Sequence, residues 1–480
     1  MKKIYPVLIL ALVLVFSGCI EDVLKETITS TTIEATTITT TVTTTSIRAE
    51  IEFIEQRVEY DLVGHLTEIN GKLSYWAKKD NKEFIVYDGK EGKRYDDVSY
   101  PKEINGKLAY VAKEGNKWFI VYDGKEGKRY DYVYSPEEIN GKMAYKAEEG
   151  GRRFIVYDGK EGNRYDDVYS LEEINGKLAY VAEEGGRRFI VYDGKEGKRY
   201  DNVEWPTEIN GKLAYVAKEG NKWFIVYDGK EGKRYDHVGT PTESPTEING
   251  KLAYRAKEGN KWFIVYDGKE GKRYDYVSYP KEINGKLAYV AKEGNKWFIV
   301  YDGKEGKRYD YVYSPAEEIN GKLAYVAEEG GRRFIVYDGK EIGKNYDDAE
   351  SPTEINGKLA YVAKKDNKEF IVYDGKEGKR YDLVSSPKEI NGKLAYVAGE
   401  GGKRFIVYDG KEGKGYDYVE YLTEINGKLA YWAKEGDKQF IVYDGKEGKK
   451  YGDVLSSIEV NGKLVFAAKK NDVWYIVREK

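Results

Sequence analysis

From Lys107 to Lys113 the chain reads KLAYVAK, apolar at alternate and intervening positions alike. Such a run, rich in strand formers and bounded by turn signals, predicts a short strand covered on both faces. Trp118 to Tyr122, WFIVY, predicts a second strand of the same kind. Asn105-Gly106 just ahead of them is a two-residue hairpin signal, because both positions tolerate positive φ. Glu114-Gly115-Asn116 and the segment from Asp123-Gly124 to Gly127 read as further turns. Arg129 to Val133, RYDYV, alternates polar and apolar and predicts a half-exposed outer strand. The stretch before Ile139 supplies one more strand. No window carries helical periodicity over ten residues.

The same pattern returns. Asn-Gly follows Ile69, Ile104, Ile139, Ile174, Ile209, Ile248, Ile283, Ile319, Ile355, Ile390 and Ile425, and follows Val460 in a twelfth copy. Most steps are 35 residues, as from Ile104 to Ile139; one is 39 and two are 36. A fixed period in this range means one supersecondary unit stacked many times. Four short strands joined by tight turns fit a propeller blade, so the fold expected is all-β, a β-propeller of twelve four-stranded repeats. The ends favour closure. Residues 53–63 resemble the end of a repeat, and the last copy stops without an outer strand of its own. The first piece would complete the last blade and remove exposed edges. One ring of twelve or two smaller rings both remain open at this point.

The repeated "SP-x-E-I-N-G-K-L-A-Y-V-A … F-I-V-Y-D-G … Y-D-x-V" resembles the TolB-type, WD-like propeller repeat over nearly all of residues 51–480. "NKW … YDGKEGKRYDYV" resembles the bacterial WG repeat less well, since its Trp-Gly pair is missing here. Both resemblances imply tandem β units and a non-catalytic module.

The N-terminus changes the picture of where this head works. Lys2 and Lys3 precede an apolar run, Ile4 to Phe16, a secretory signal too short to span a bilayer comfortably. Phe16-Ser17-Gly18-Cys19 resembles the lipobox of prokaryotic, including archaeal, lipoproteins. That implies residues 1–18 as signal peptide, lipid on Cys19 and an anchor in the outer face of the cytoplasmic membrane. Cys19 is the one cysteine, so no disulfide competes for it. Residues 19–50 are Thr-rich, too poor in large apolar side chains for a core, and read as a disordered tether of the O-glycosylated kind. The propeller domain then occupies 51–480.

Charge adds little. Lys and Arg total 80 against 83 Asp and Glu, so no nucleic-acid partner is implied. Many Glu and Lys with few thermolabile residues point to a hot environment, unless twelve copies of one repeat merely amplify their own composition. His65 and His237 lie between repeats without a partner motif. No nucleophile elbow, phosphate loop or metal-ligand spacing is present, so no catalytic residue, metal or cofactor is assigned. Glu103, Glu138, Glu173 and Glu208, like the residue before the Ile or Val of every copy, would form a carboxylate ring if their strand lines the channel. The plainer reading pairs each with a neighbouring Lys.

Comparison between copies is more informative. The Asn-Gly and DGKEGK turns hardly change, whereas the turn after the second strand and the link before the next repeat do. These two variable segments are expected on one face, where loops on a rigid scaffold commonly bind. Candidate contacts there are Trp118, Trp223, Trp262, Trp297, Tyr100, Trp205, Tyr134, Arg153, Arg188 and Arg333. The alternative is drift at exposed turns, with the Trp side chains packed between blades. Lys146 and Arg255 replace the apolar residue at the middle of the second strand, where a charge between blades is costly unless paired. The function expected is a lipid-anchored, non-enzymatic scaffold or binding module for a protein or glycan at the cell envelope. A capture protein feeding polysaccharide or peptide to a transporter comes next, and a hydrolase or lyase using channel carboxylates last.

Overall fold

The computed structural model describes residues 52–239, 245–313, 316–455 and 457–480. The signal peptide, Cys19 and the Thr-rich tether lie outside them. Residues Phe53–Glu479 form one compact unit of twelve antiparallel sheets, each a blade, with no helix among the described residues. The fourth blade shows the plan: Asp167–Ile174, Lys177–Glu184, Arg187–Tyr192 and Lys195–Glu196, paired in that order. Asn-Gly and Asp-Gly build the tight turns because both residues sit left-handed, as at Asn105 (φ 49°) and Gly106 (φ 69°).

One expectation needs correcting. Tyr-Asp-x-Val is not the outer strand of its own blade. Tyr132–Val133 pairs with Lys142–Glu149 and so opens the first strand of the next blade. The outer strand is instead the dipeptide Lys125–Glu126 of the DGKEGK turn. Polar alternation misled here because Tyr130 and Val133 are buried by the following blade, not exposed at the rim. Tyr130 exchanges backbone hydrogen bonds with Trp118 at 2.8 and 3.0 Å. Its ring meets Phe154 edge-on at 5.6 Å, and its hydroxyl donates to Glu161 at 3.0 Å. A single tyrosine therefore ties two consecutive blades together.

The core lies between blades. Val111 and Ile120 of the second blade pack with Tyr145, Ala147, Phe154 and Val156 of the third, and the pattern recurs around the ring. This is why both central strands are apolar on both faces. Each fully buried Phe contributes about 2 kcal/mol.

Neighbouring first strands touch one another, while each outer strand packs chiefly on the third strand of its own blade. The first strands thus wall the centre of a single ring. Closure is by strand addition: Phe53–Val58 pairs with Val473–Glu479 as the outer strand of the twelfth blade. Glu55 takes the role of the DGKEGK glutamate there, accepting from Tyr451 and pairing with Lys449 at 2.9 Å. Tyr60 then continues as the Tyr-Asp-x-Val tyrosine of the first blade, donating to Glu91 at 3.0 Å.

Candidate binding surface

The variable link does not form a loop between blades. It falls inside the first strand, which is either split, as at Asp97–Val98 and Lys102–Ile104, or bulged, as in Asn202–Ile209. Bulges place His65, Ser170, Trp205, Ser351 and Tyr421 at left-handed φ between 49° and 57°. A non-glycine residue held there costs of order 1 kcal/mol. The link side chains therefore border the central channel near the end carrying the second turn.

The second residue of the third strand meets the residue between Asp and Val of the next blade, and the two vary together. Trp118 packs on Tyr132 (centroids 5.1 Å apart), Trp223 on His237 (5.8 Å) and Trp297 on Tyr311 (4.9 Å). Arg153 pairs with Asp167 at 2.9 Å, and Arg188 donates to Asn202 at 2.6 Å. Arg333 pairs with Asp348, and Arg404 lies over Tyr418 at 4.5 Å. The four Trp rings are half-buried, each under an ammonium such as Lys113 over Trp118 at 5.1 Å. Aromatic contacts of this sort are worth about 1 kcal/mol beyond burial.

Between the fifth and eighth blades these contacts join into an arc. His237 bridges Trp223 and Trp262, and burial holds its imidazole below the usual range, so it sits there neutral. Arg255 lies over Trp262 (4.5 Å) and Tyr279 (4.1 Å) and donates to the Val277 carbonyl at 3.1 Å. Trp297 follows, then Tyr311, Tyr313 and Arg333. Lys146 resolves its charge in the same way, pairing with Asp167 at 2.8 Å and covering Tyr134 at 4.5 Å.

The remaining candidates are placed as follows. Tyr100 is 53% exposed and stacks on His65. Trp205 is half-buried and donates to Glu204 at 3.2 Å. At the other end of the first strand, Glu138 accepts from the backbone N–H of Asn105, Glu173 from Asn140 and Glu208 from Asn175, at 2.5–2.6 Å. Glu103 accepts from Asn70 at 2.7 Å, and the series closes with Asn461 donating to Glu68 at 3.2 Å. The twelve carboxylates thus circle the axis, each held to the preceding blade's turn through a backbone amide and, among the described residues, in no ion pair with a lysine.

Sequence reading passed over Tyr132, Tyr311 and His237 as contacts, and over Trp76 and Trp432 in the second strand. Their signal was the pairwise variation between positions 14 residues apart, such as Trp118 with Tyr132 and Arg153 with Asp167. Among the described residues no three His, Cys, Asp or Glu side chains gather to hold a metal ion. Two cavities of about 710 and 890 Å³ lie on the opposite face. They are the same inter-blade groove at two positions, lined by the invariant turns. A third, of about 640 Å³, lies among Lys388, Tyr421, Trp432 and Asp453 on the variable side.

Taken together, strand pairing, blade order and closure define a twelve-bladed β-propeller. No protein-family model and no curated protein matches the chain. Solved structures similar to it include the β-propeller domain of the Trilobed protease from Pyrococcus furiosus, which has an open velcro topology. That match has 17% identity, covers 52% of this chain and 94% of the other, and has a TM-score of 0.25. A eukaryotic initiation factor matches at 10% identity over 70% of this chain and 98% of its own, TM-score 0.31. Oligopeptidase B from Leishmania major matches at 11% over 72% and 53%, TM-score 0.26.

Proposed function

We propose that this chain is a non-enzymatic propeller module of the TolB-like kind, anchored at the cell envelope through Cys19, that binds a protein or glycan at its variable side. One observation carries the reading. Of the eight large apolar side chains most exposed on the described residues, all but Ile54 lie in the variable first strands: Leu62, Tyr100, Tyr132, Tyr134, Tyr311, Leu383 and Tyr421. The fold has concentrated its most exposed aromatics where copies differ, and such gathering marks interaction surfaces. The invariant side offers charged turns in which the lysine after Asn-Gly pairs with an aspartate, such as Lys107 with Asp123 at 2.9 Å.

Two measurements test this. Cys19→Ser should move the protein from the membrane to the soluble fraction and abolish incorporation of labelled lipid. The full chain, displayed in detergent, should capture an envelope ligand that the triple variant Tyr132→Ser, Tyr134→Ser, Tyr311→Ser no longer captures. Retention of the same ligand by the triple variant would refute the assignment of the face.

A further inference from the structure

We infer that the cavity at the inner side of the eleventh blade is a saccharide subsite built on Tyr421 and Trp432. The inference rests on the binding reading above and narrows it to one place and one ligand class.

Tyr421 is the most exposed large apolar residue of the described chain, at 76%, and it sits at φ 56° in a first-strand bulge. An aromatic residue held left-handed and solvated gives the fold neither burial nor relaxed backbone. An outlier of this kind points to function. Trp432 stands beside it in the second strand, where most copies carry Val, and is only half-buried. Around the two rings the cavity of about 640 Å³ gathers Glu420, Gln439, Asp453 and Lys388.

The first blade provides an internal control. Trp76 occupies the position of Trp432, and His65 that of Tyr421. There both rings have partners within the protein: His65 stacks on Tyr100, and the Trp76 indole donates to Glu83 at 3.1 Å. In the eleventh blade Glu420 instead accepts from Tyr418, and Gln439 accepts from the Val454 amide through its carbonyl oxygen. These bonds engage one oxygen of each side chain; among the described residues the second Glu420 oxygen and the Gln439 amide nitrogen make no hydrogen bond, and both side chains line the cavity.

The chemistry selects the ligand. A pyranose presents one face of weakly positive C–H bonds, suited to the negative faces of Tyr and Trp rings. Its rim of hydroxyls suits carboxylate and amide groups of both polarities. Discrimination is strong where a site is built to hydrogen-bond hydroxyls. The cavity has the size and concavity of a small-molecule site, whereas a protein partner needs a broad, flatter patch.

The test is calorimetric titration of the full chain in detergent with linear oligosaccharides of glucose, mannose, xylose and N-acetylglucosamine, and with a pooled peptide library as the competing class. One sugar series should bind. Tyr421→Ala and Trp432→Val should each weaken it at least tenfold, and Tyr421→Phe should restore most of the affinity. Val is native to this position in other blades, so the fold should hold, checked by circular dichroism. Sugar binding undiminished in Tyr421→Ala overturns the proposal, as does peptide binding that Tyr421→Ala abolishes. No heat with any sugar series also overturns it. In that case ligand capture that depends on Tyr132, Tyr134 and Tyr311 would still stand, so the subsite and the wider reading fail separately.

Discussion

The two halves of every blade solve the same packing problem in different ways. Toward the first and third turns and the outer rim, all blades use one set of contacts. Tyrosine donates to the next blade's DGKEGK glutamate, as Tyr95 does to Glu126 at 3.0 Å, and Asn-Gly donates to the next blade's Glu. Toward the second turn each interface is particular: Trp on Tyr, Arg on Asp, Trp on His. The generic half makes any blade fit any other, and the particular half makes each blade fit its own neighbour. Divergence there is matched across many interfaces, as at Trp118 with Tyr132 and Arg153 with Asp167, though not where Asp97 faces Glu83.

The largest effect should come from breaking the generic half at its one non-local joint. Deleting residues 53–58 leaves the third strand of the twelfth blade as an open edge and removes the partner of Lys449 and Tyr451. The loss should exceed about 4 kcal/mol. The exposed edge should also drive self-association. Calorimetry with light scattering would check both; a monomer of native melting temperature would show that closure contributes little.

Next come the particular contacts of the arc. Arg255 is 6% exposed between Trp262 and Tyr279. Arg255→Ala should cost about 3 kcal/mol by emptying that slot. Arg255→Val, the residue of most other copies, should cost far less, because an apolar side chain needs no desolvated partner. Urea unfolding of the two variants would separate them. Equal losses would mean that the guanidinium contacts, and not the filled volume, hold the interface.

Smaller again is the pairing rule itself. Trp118→Arg and Tyr132→Asp should each destabilise, and the double variant should recover about 1 kcal/mol by reproducing the Arg153–Asp167 pair. Strict additivity in a double-mutant cycle would dissolve the idea of matched neighbours.

Much of this architecture was legible in the chain. Doubly apolar strands, Asn-Gly turns and a period of 35 residues carry the blade, and the truncated ends carry the closure. Two things were not. Tyr-Asp-x-Val reads as an outer strand because its alternation describes exposure, and alternation does not reveal which neighbour covers Tyr130. The link likewise reads as a loop because Pro101 and Pro136 break periodicity, although the backbone resumes the same strand after each break. Of the candidate residues, the sequence located the Trp and Arg positions but not their partners. Those contacts cross an interface between blades, and nothing within one repeat encodes it.

The finest distinction concerns two aspartates at equivalent positions. Asp167 faces Arg153 and Lys146; burial pushes its carboxyl up, but the two cations outweigh burial and hold it below its usual range. Asp97 faces Glu83, and burial together with that like charge raises it. The signs for stability are opposite. A depressed carboxyl adds stability above its unfolded pKa, near 3.9, which is lost as pH falls through the folded value. A raised carboxyl subtracts stability at neutral pH, and the penalty fades as pH falls through the folded value and is gone below the unfolded one. Asp167→Asn should therefore lower the stability, and with it the melting temperature, at pH 7, and Asp97→Asn should raise both, the change in stability being about 0.5 kcal/mol or somewhat less in each case. Both differences should shrink on acidification toward pH 3. Shifts of the same sign at pH 7 would show that the interface tolerates either charge pattern and that the first two blades are not held under like-charge repulsion.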